Sequence, residues 1–264
     1  MSSGEETHPL APLRALTQAR IALGRRGGGL PTRAHLDFAA DHARARDAVH
    51  APFDRDAVRR DLEARGLRTV EAASRAESRE VYLRRPDLGR SLDEASRAAL
   101  EGLREREGFD LAIVVAGGLS ALAAERHGAT VAAGIAQAVP RRWRLAPVVV
   151  AREARVALGD AVGEALGARL AVVLIGERPG LSAADSLGAY LTHGPRVGLT
   201  DESRNCISNI RAGGLPPAEA GARIAALLRR ADVLGATGVT LKDDEAILEH
   251  DAAPAVAADA SSQG

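Results

Sequence analysis

Three short aliphatic runs, at residues 111–116 (LAIVVA), 145–151 (LAPVVVA) and 170–175 (LAVVLI), alternate with stretches rich in alanine and glycine. No other feature constrains the fold as tightly. Runs of four to eight apolar residues suit buried strands, and the segments between them, residues 119–138 and 159–167, have helical length. Strands that alternate with helices form a parallel sheet covered on its faces by those helices. The expectation is an α/β chain, with ligands placed beyond the carboxyl ends of its strands.

The 264 residues are enough for a large buried core. Aromatic residues are only 2% of the chain, so that core has to be built from Leu, Val and Ala. Basic and acidic residues balance at 35 each, which gives no global field for nucleic acid or an anionic lipid surface. No apolar run approaches the ~20 residues of a membrane span. The N-terminal MSSGEETHPL lacks the features of a secretory signal, and a single cysteine, Cys206, permits neither an internal disulfide nor a cysteine-based zinc site. These features fit a chain that stays in a reducing cytoplasm.

A composition shift near Phe109 divides the chain. Residues 1–108 read as a smaller helical domain with interface segments, residues 109–250 as the α/β domain, and residues 251–264 as a disordered tail. In the first part Leu36, Ala40 and Ala43 recur at helical intervals, Asp54 reads as an N-cap for a helix carrying Val58 and Leu62, and Ser91 with Glu94 reads as a capping box for a helix over residues 92–106. In the second part Pro216 and Pro217 open a long helix with a stripe of Ala220, Ile224, Leu227, Ala231 and Leu234, stopped by Gly235. GVTL, residues 238–241, reads as a last strand, and RNCISNI, residues 204–210, as a mixed segment between helices.

Several chemistries lack their residues. The only lysine, Lys242, follows no glycine-rich loop, which excludes a Walker-A phosphate site. The segment after the first run, Ala116-Gly117-Gly118-Leu119-Ser120, is not a dinucleotide fingerprint. The seven histidines have no paired ligand spacing, and His42, among Asp41 and Asp47, reads as surface or interface. The most unusual segment is Gly176-Glu177-Arg178-Pro179-Gly180-Leu181, which sets a carboxylate and a guanidinium at the end of the most apolar run. Its alternatives are a ligand-binding turn and a salt-bridged loop anchor. Cys206 is either a small packed hydrophobe or, with His193 as base, a nucleophile.

Taken together, GERPGLSAADSLGAY from Gly176 and RNCISNI from Arg204, with TRAHLDF from Thr32, HARARDAVH from His42 and YLRRPDLGR from Tyr82, resemble the small subunit of ethanolamine ammonia-lyase in the family's order. The resemblance covers almost the whole chain. It implies a Rossmann-like domain after a helical N-terminal domain, pairing with a large TIM-barrel subunit in a hetero-oligomer, and no activity from the isolated chain. It also implies adenosylcobalamin, whose cobalt–carbon homolysis starts the radical deamination of ethanolamine to acetaldehyde and ammonia.

Carried over by motif, the cofactor contacts are Val156 in ARVALGD, Glu177 in GERPG and Cys206 in NCISNI, with no catalytic residue and no metal ligand in this chain. Val156 would pack against the corrin or nucleotide loop, Glu177 would accept from corrin amides, and Cys206 would serve as wall. No D-x-H-x-x-G motif is present to displace the lower base, so base-on binding is implied. Family members commonly have Asp-Gly-Leu-Ser after the first strand of this domain; here Gly117 stands in place of the carboxylate. The location implied is cytoplasm, either free or inside a protein-shelled microcompartment. Two other readings are a non-catalytic α/β binding module and a Cys206-dependent hydrolase.

Overall fold

The structure, a computed structural model, describes residues 8–242 apart from residues 18 and 26. Elements in chain order are α1 (Thr32–His50), α2 (Arg55–Ala64), β1 (Thr69–Ala73), α3 (Arg79–Arg84), α4 (Glu94–Gly102), β2 (Phe109–Ala116), α5 (Ala121–Ala138), β3 (Val148–Arg152), α6 (Leu158–Leu166), β4 (Ala168–Gly176), β5 (Leu187–His193), β6 (Arg204–Ile210) and α7 (Pro217–Leu234). The six strands form one sheet in the order β1-β3-β2-β4-β5-β6. The first four are parallel, as the apolar runs predict, while β5 and β6 extend the sheet antiparallel from β4. The fold is therefore mixed α/β.

Each aliphatic run supplies one of the parallel strands β2, β3 and β4. Their side chains split by parity between two cores. Leu111, Ile113 and Val115 of β2 with Leu170, Val172 and Leu174 of β4 face a core shared with residues of α2, α5 and α7. Ala112 and Val114 with Val173 and Ile175 face a second core shared with residues of α4 and α6. Helices on both faces bury both sides of the sheet, which is why the runs are continuous rather than alternating.

The sheet reaches back across the composition shift at Phe109. β1 pairs in register with β3, from Thr69 opposite Val148 to Ala73 opposite Arg152, and Val58, Leu62 and Leu100 from α2 and α4 enter the same two cores as the later strands. Only two of the residues in TVEAA are β-branched, so nothing in that segment marks it as a strand before its partner is known.

Several expectations are met at the termini of helices. Asp54 caps α2 by accepting from Ala57 N at 2.9 Å, and α7 begins at Pro217 and stops at Gly235, whose φ is +69°. Others need correction. The N-cap of α4 is Asp93, whose Oδ1 accepts from Ser96 N at 2.7 Å, because the Ser91 carbonyl is already engaged by Arg75 N and the Ser74–Leu92 bridge holds that stretch extended. That helix also ends at Gly102.

Residues 238–240 form a 3-10 turn instead of a strand. Asn205 captures both polar groups of Gly238, accepting from its N–H at 2.7 Å and donating to its carbonyl at 3.2 Å, so neither is left for a ladder. RNCISNI, read as lying between helices, is strand β6. On α1 only Ala45 and Ala48 are buried; the Leu36, Ala40 and Ala43 stripe stands exposed, with Leu36 60% accessible. The tail at residues 251–264 lies outside the described residues.

Candidate functional site

β2 lies between β3 and β4, so the connection through α5 leads to one side of it and the connection through α6 leads across to the other. Such a switch in winding opens a crevice at the carboxyl ends of the strands. Here the crevice directly between β2 and β4 is closed by backbone. Leu119 N donates to Gly176 O at 2.9 Å, and a Cβ on Gly176 would overlap the carbonyls of Gly117 and Ser120. The glycine opening GERPG is thus needed for contact between turns, and the chain emerges from it with Glu177 on the α6 side of the sheet.

Glu177 is half-buried and held by neutral donors. Its Oε2 accepts from Ser186 Oγ at 2.5 Å and from Asn209 N at 3.2 Å. Its Oε1 lies over Gly188, where a Cβ would come within 2.9 Å of it and within 3.0 Å of the Tyr190 ring. Glycine at 188 makes room for both groups. Among the described residues Glu177 is held by these neutral donors and not by an ion pair with Arg178.

Tyr190 is the next residue down that face, opposite Val173 on one side and Cys206 on the other. Cys206 is exposed. Desolvation by its neighbours pushes the thiol above its ordinary value; the Tyr190 hydroxyl, acting as a donor toward sulfur, pulls it down, and the Glu177 carboxylate adds to the rise. Burial likewise raises the Tyr190 hydroxyl, with Cys206 and Glu177 adding to it. A thiol held up in this way is protonated at neutral pH and is a poor nucleophile. That favours the wall reading of Cys206 over the hydrolase reading.

Below this strip the sheet is covered by α6. A Cβ on Gly159 would overlap the Val173 side chain, and one on Gly163 would overlap Pro195, so the helix lies close over β4. Asp160, in its first turn, forms a buried ion pair with Arg204 of β6. Val156, in the turn that leads into α6, packs against the same core face as Tyr190. Of the three residues expected from sequence, Glu177 at the end of β4 and Cys206 on β6 meet at Tyr190, while Val156 sits at the entrance of α6 against the same core face.

The YLRRPDLG segment braces this region from behind. Tyr82 is fully buried between the guanidinium groups of Arg79 and Arg155, 4.9 and 4.2 Å from its ring centroid. Arg79 donates to Gly118 O and to Val49 O, each at 2.6 Å, and Arg155 N donates to Gly89 O at 2.8 Å. The turn carrying Val156 is fixed in this way. Sequence reasoning missed Ser186, Gly188, Tyr190 and Asn209; the alternation in SLGAYL is the one local signal that could have placed Tyr190 on the Glu177 face.

Gly117 has a partner that explains it. A Cβ there would stand 2.9 Å from Phe53 Cγ, so the ring fills the space in which a side chain would begin. Elsewhere, His42 is exposed and stacks on Phe38 with centroids 6.3 Å apart. Among the described residues no group of three metal-ligating side chains occurs, and no helix is long and apolar enough to cross a membrane.

These residues build a mixed α/β subunit whose sheet carries Glu177, Tyr190 and Cys206 on one face. Comparison with known proteins names its kind. The ethanolamine ammonia-lyase light chain family matches residues 7–242. The chain is 52% identical over 239 residues to the ethanolamine ammonia-lyase small subunit of Ralstonia nicotianae, covering 89% of this chain and 88% of that one. It is 54% identical over 237 residues to the small subunit of Xanthomonas campestris pv. campestris (89% and 87%) and 53% identical over 243 residues to that of Pseudomonas aeruginosa (90% and 88%). The chain belongs to the ethanolamine ammonia-lyase small-subunit family, and so is one subunit of a lyase.

Proposed function

We propose that this chain is the small subunit of an adenosylcobalamin-dependent enzyme that deaminates ethanolamine to acetaldehyde and ammonia, and that it lines one wall of the cofactor site. The observation that supports the reading is that Glu177, Tyr190 and Cys206 share one face of the sheet, the face whose core Val156 also packs against. Residues 109–250 then act as a Rossmann-like cobalamin-binding domain, edged by β1, and residues 1–108 supply interface segments.

The donor set fits a corrinoid. Cobalamin presents many amide side chains around a broad apolar rim, and the strip offers a carboxylate that can accept from amides, a half-buried valine, and a protonated thiol. Glu177 is aimed by Ser186 and Asn209, so its remaining lone pairs are held in place before the cofactor arrives. When bound base-on, the cofactor supplies cobalt–carbon homolysis. This chain binds, orients and walls off, and the large subunit supplies the substrate-binding groups.

The partner surface follows from α1. A helix of 19 residues that buries only Ala45 and Ala48 leaves the Leu36, Ala40 and Ala43 stripe exposed, and a large subunit is the partner such a stripe would meet. Within this reading the assembled enzyme works in the cytoplasm, free or in a microcompartment. The test is ethanolamine-dependent acetaldehyde formation with adenosylcobalamin by this chain, by the large subunit of the same organism, and by the two co-expressed. Activity in the co-expressed sample alone is expected. A properly assembled, cobalamin-loaded complex without turnover would favour the non-catalytic binding module.

A further inference from the structure

We propose that Tyr190 is a fourth cofactor-facing residue, acting with Cys206 as one hydrogen-bonding edge of the corrinoid site. The inference deepens the cobalamin reading and rests on it. Its ground is placement. Tyr190 stands between Val173 and Cys206 in the strand register, on the sheet face that carries Glu177. Gly188, the preceding residue on that face of β5, leaves the ring and the carboxylate without a side chain between them. Ile175 and Val173 support this face from β4, and Val156 packs against the same core.

A tyrosine at such a point has both an apolar body and a polar tip, and a polar tip near the rim of a site has to find a partner. In the free chain the register sets Tyr190 directly opposite Cys206, whose sulfur is a weak acceptor. An amide carbonyl from a corrin side chain is a much better one. The hydroxyl therefore exchanges a poor partner for a good one when cofactor binds, and its ring covers the corrin edge beside Glu177. Tyr190 takes no part in bond making; it positions.

The test uses the assembled complex of this chain with its large subunit, and cyanocobalamin as the probe. Equilibrium dialysis compares the wild type with Tyr190→Phe, Tyr190→Ala and, as a control on the site itself, Glu177→Ala. Losing one hydrogen bond at a preformed site lowers affinity by about three- to tenfold, so Tyr190→Phe is expected to bind in that range with unchanged melting temperature. Tyr190→Ala is expected to bind more weakly again.

A second readout concerns the thiol. Because the hydroxyl lowers the Cys206 pKa, Tyr190→Phe is expected to slow iodoacetamide labelling of Cys206 in the free chain, followed by peptide mass spectrometry. Cofactor affinity unchanged in both Tyr190 variants but weakened in Glu177→Ala would overturn the assignment of Tyr190 alone. Affinity unchanged in all three variants would overturn the cobalamin reading of the strip, and Tyr190 with it.

Discussion

Asp160 on α6 and Arg204 on β6 form an ion pair in which both side chains are only 3% exposed. Arg204 also donates to Asp201 at 2.9 Å and to Leu199 O at 3.2 Å. The pair joins the two walls of the candidate site. Asp160 lies one helical turn beyond Val156, and Arg204 lies two residues from Cys206 on the same face of β6. Burial raises the Asp160 carboxyl against the pull of the guanidinium, so the pair acts more as a register pin than as a source of stability. Removing one partner leaves an uncompensated buried charge. Arg204→Met is expected to destabilise the chain by about 3–5 kcal/mol, and Asp160→Leu combined with Arg204→Met to recover most of that loss in urea unfolding.

Phe53 and Gly117 make a second mutual constraint. Gly117→Asp, which introduces the carboxylate that the family resemblance implies at this position, pushes its Cβ against the ring and is expected to cost about 1–3 kcal/mol. Phe53→Ala in the same chain is expected to relieve that clash. A thermal melt of the two single variants and the double variant reads the coupling; additive effects would show that the ring does not fill this space.

The Cys206 thiol gives a pH dependence with a definite sign. Its folded pKa lies above the ordinary value of 9.0, mainly through desolvation by its neighbours. The folded chain therefore holds this proton more tightly than the unfolded chain. The associated stability is fully present below the ordinary value and is lost as pH rises through the folded one. Cys206→Ser lacks this ionisation, so its stability is expected to fall less steeply over the same alkaline range, as measured by urea midpoints. At pH 8 the native chain is expected to react with iodoacetamide more slowly than the unfolded chain.

Much of this architecture is legible in the sequence, and the failures have causes. The parallel strands β2, β3 and β4 announce themselves because both their faces are buried, and α7 because a proline pair and a glycine punctuate it. β6 is obscured by a register irregularity opposite Leu187 to Ala189, which places both Ile207 and Ile210 on the core side, three residues apart, and destroys the two-residue period. The turn at residues 238–240 depends on Asn205, a partner remote in sequence. Glu177 stands out because a charge at the end of an apolar strand is costly. Ser186 and Asn209, which aim it, are ordinary loop and strand residues until the chain folds.

The exposed apolar side chains of α1 predict assembly behaviour. Leu36→Asp and Phe38→Asp are expected to leave the melting temperature of the free chain nearly unchanged, since surface substitutions fall within about 0.5 kcal/mol. The same changes are expected to reduce co-purification with the large subunit. Normal assembly of both variants would move the interface elsewhere.

The central claim is that Cys206 and its neighbours line a cobalamin site in the assembled enzyme. Labelling of Cys206 by iodoacetamide in the complex, with and without saturating cobalamin, tests it most directly. The account predicts that cobalamin slows labelling by about tenfold or more relative to the cofactor-free complex, as expected when bound ligand removes access to a thiol. Equal labelling rates in a complex shown to hold cobalamin would contradict it.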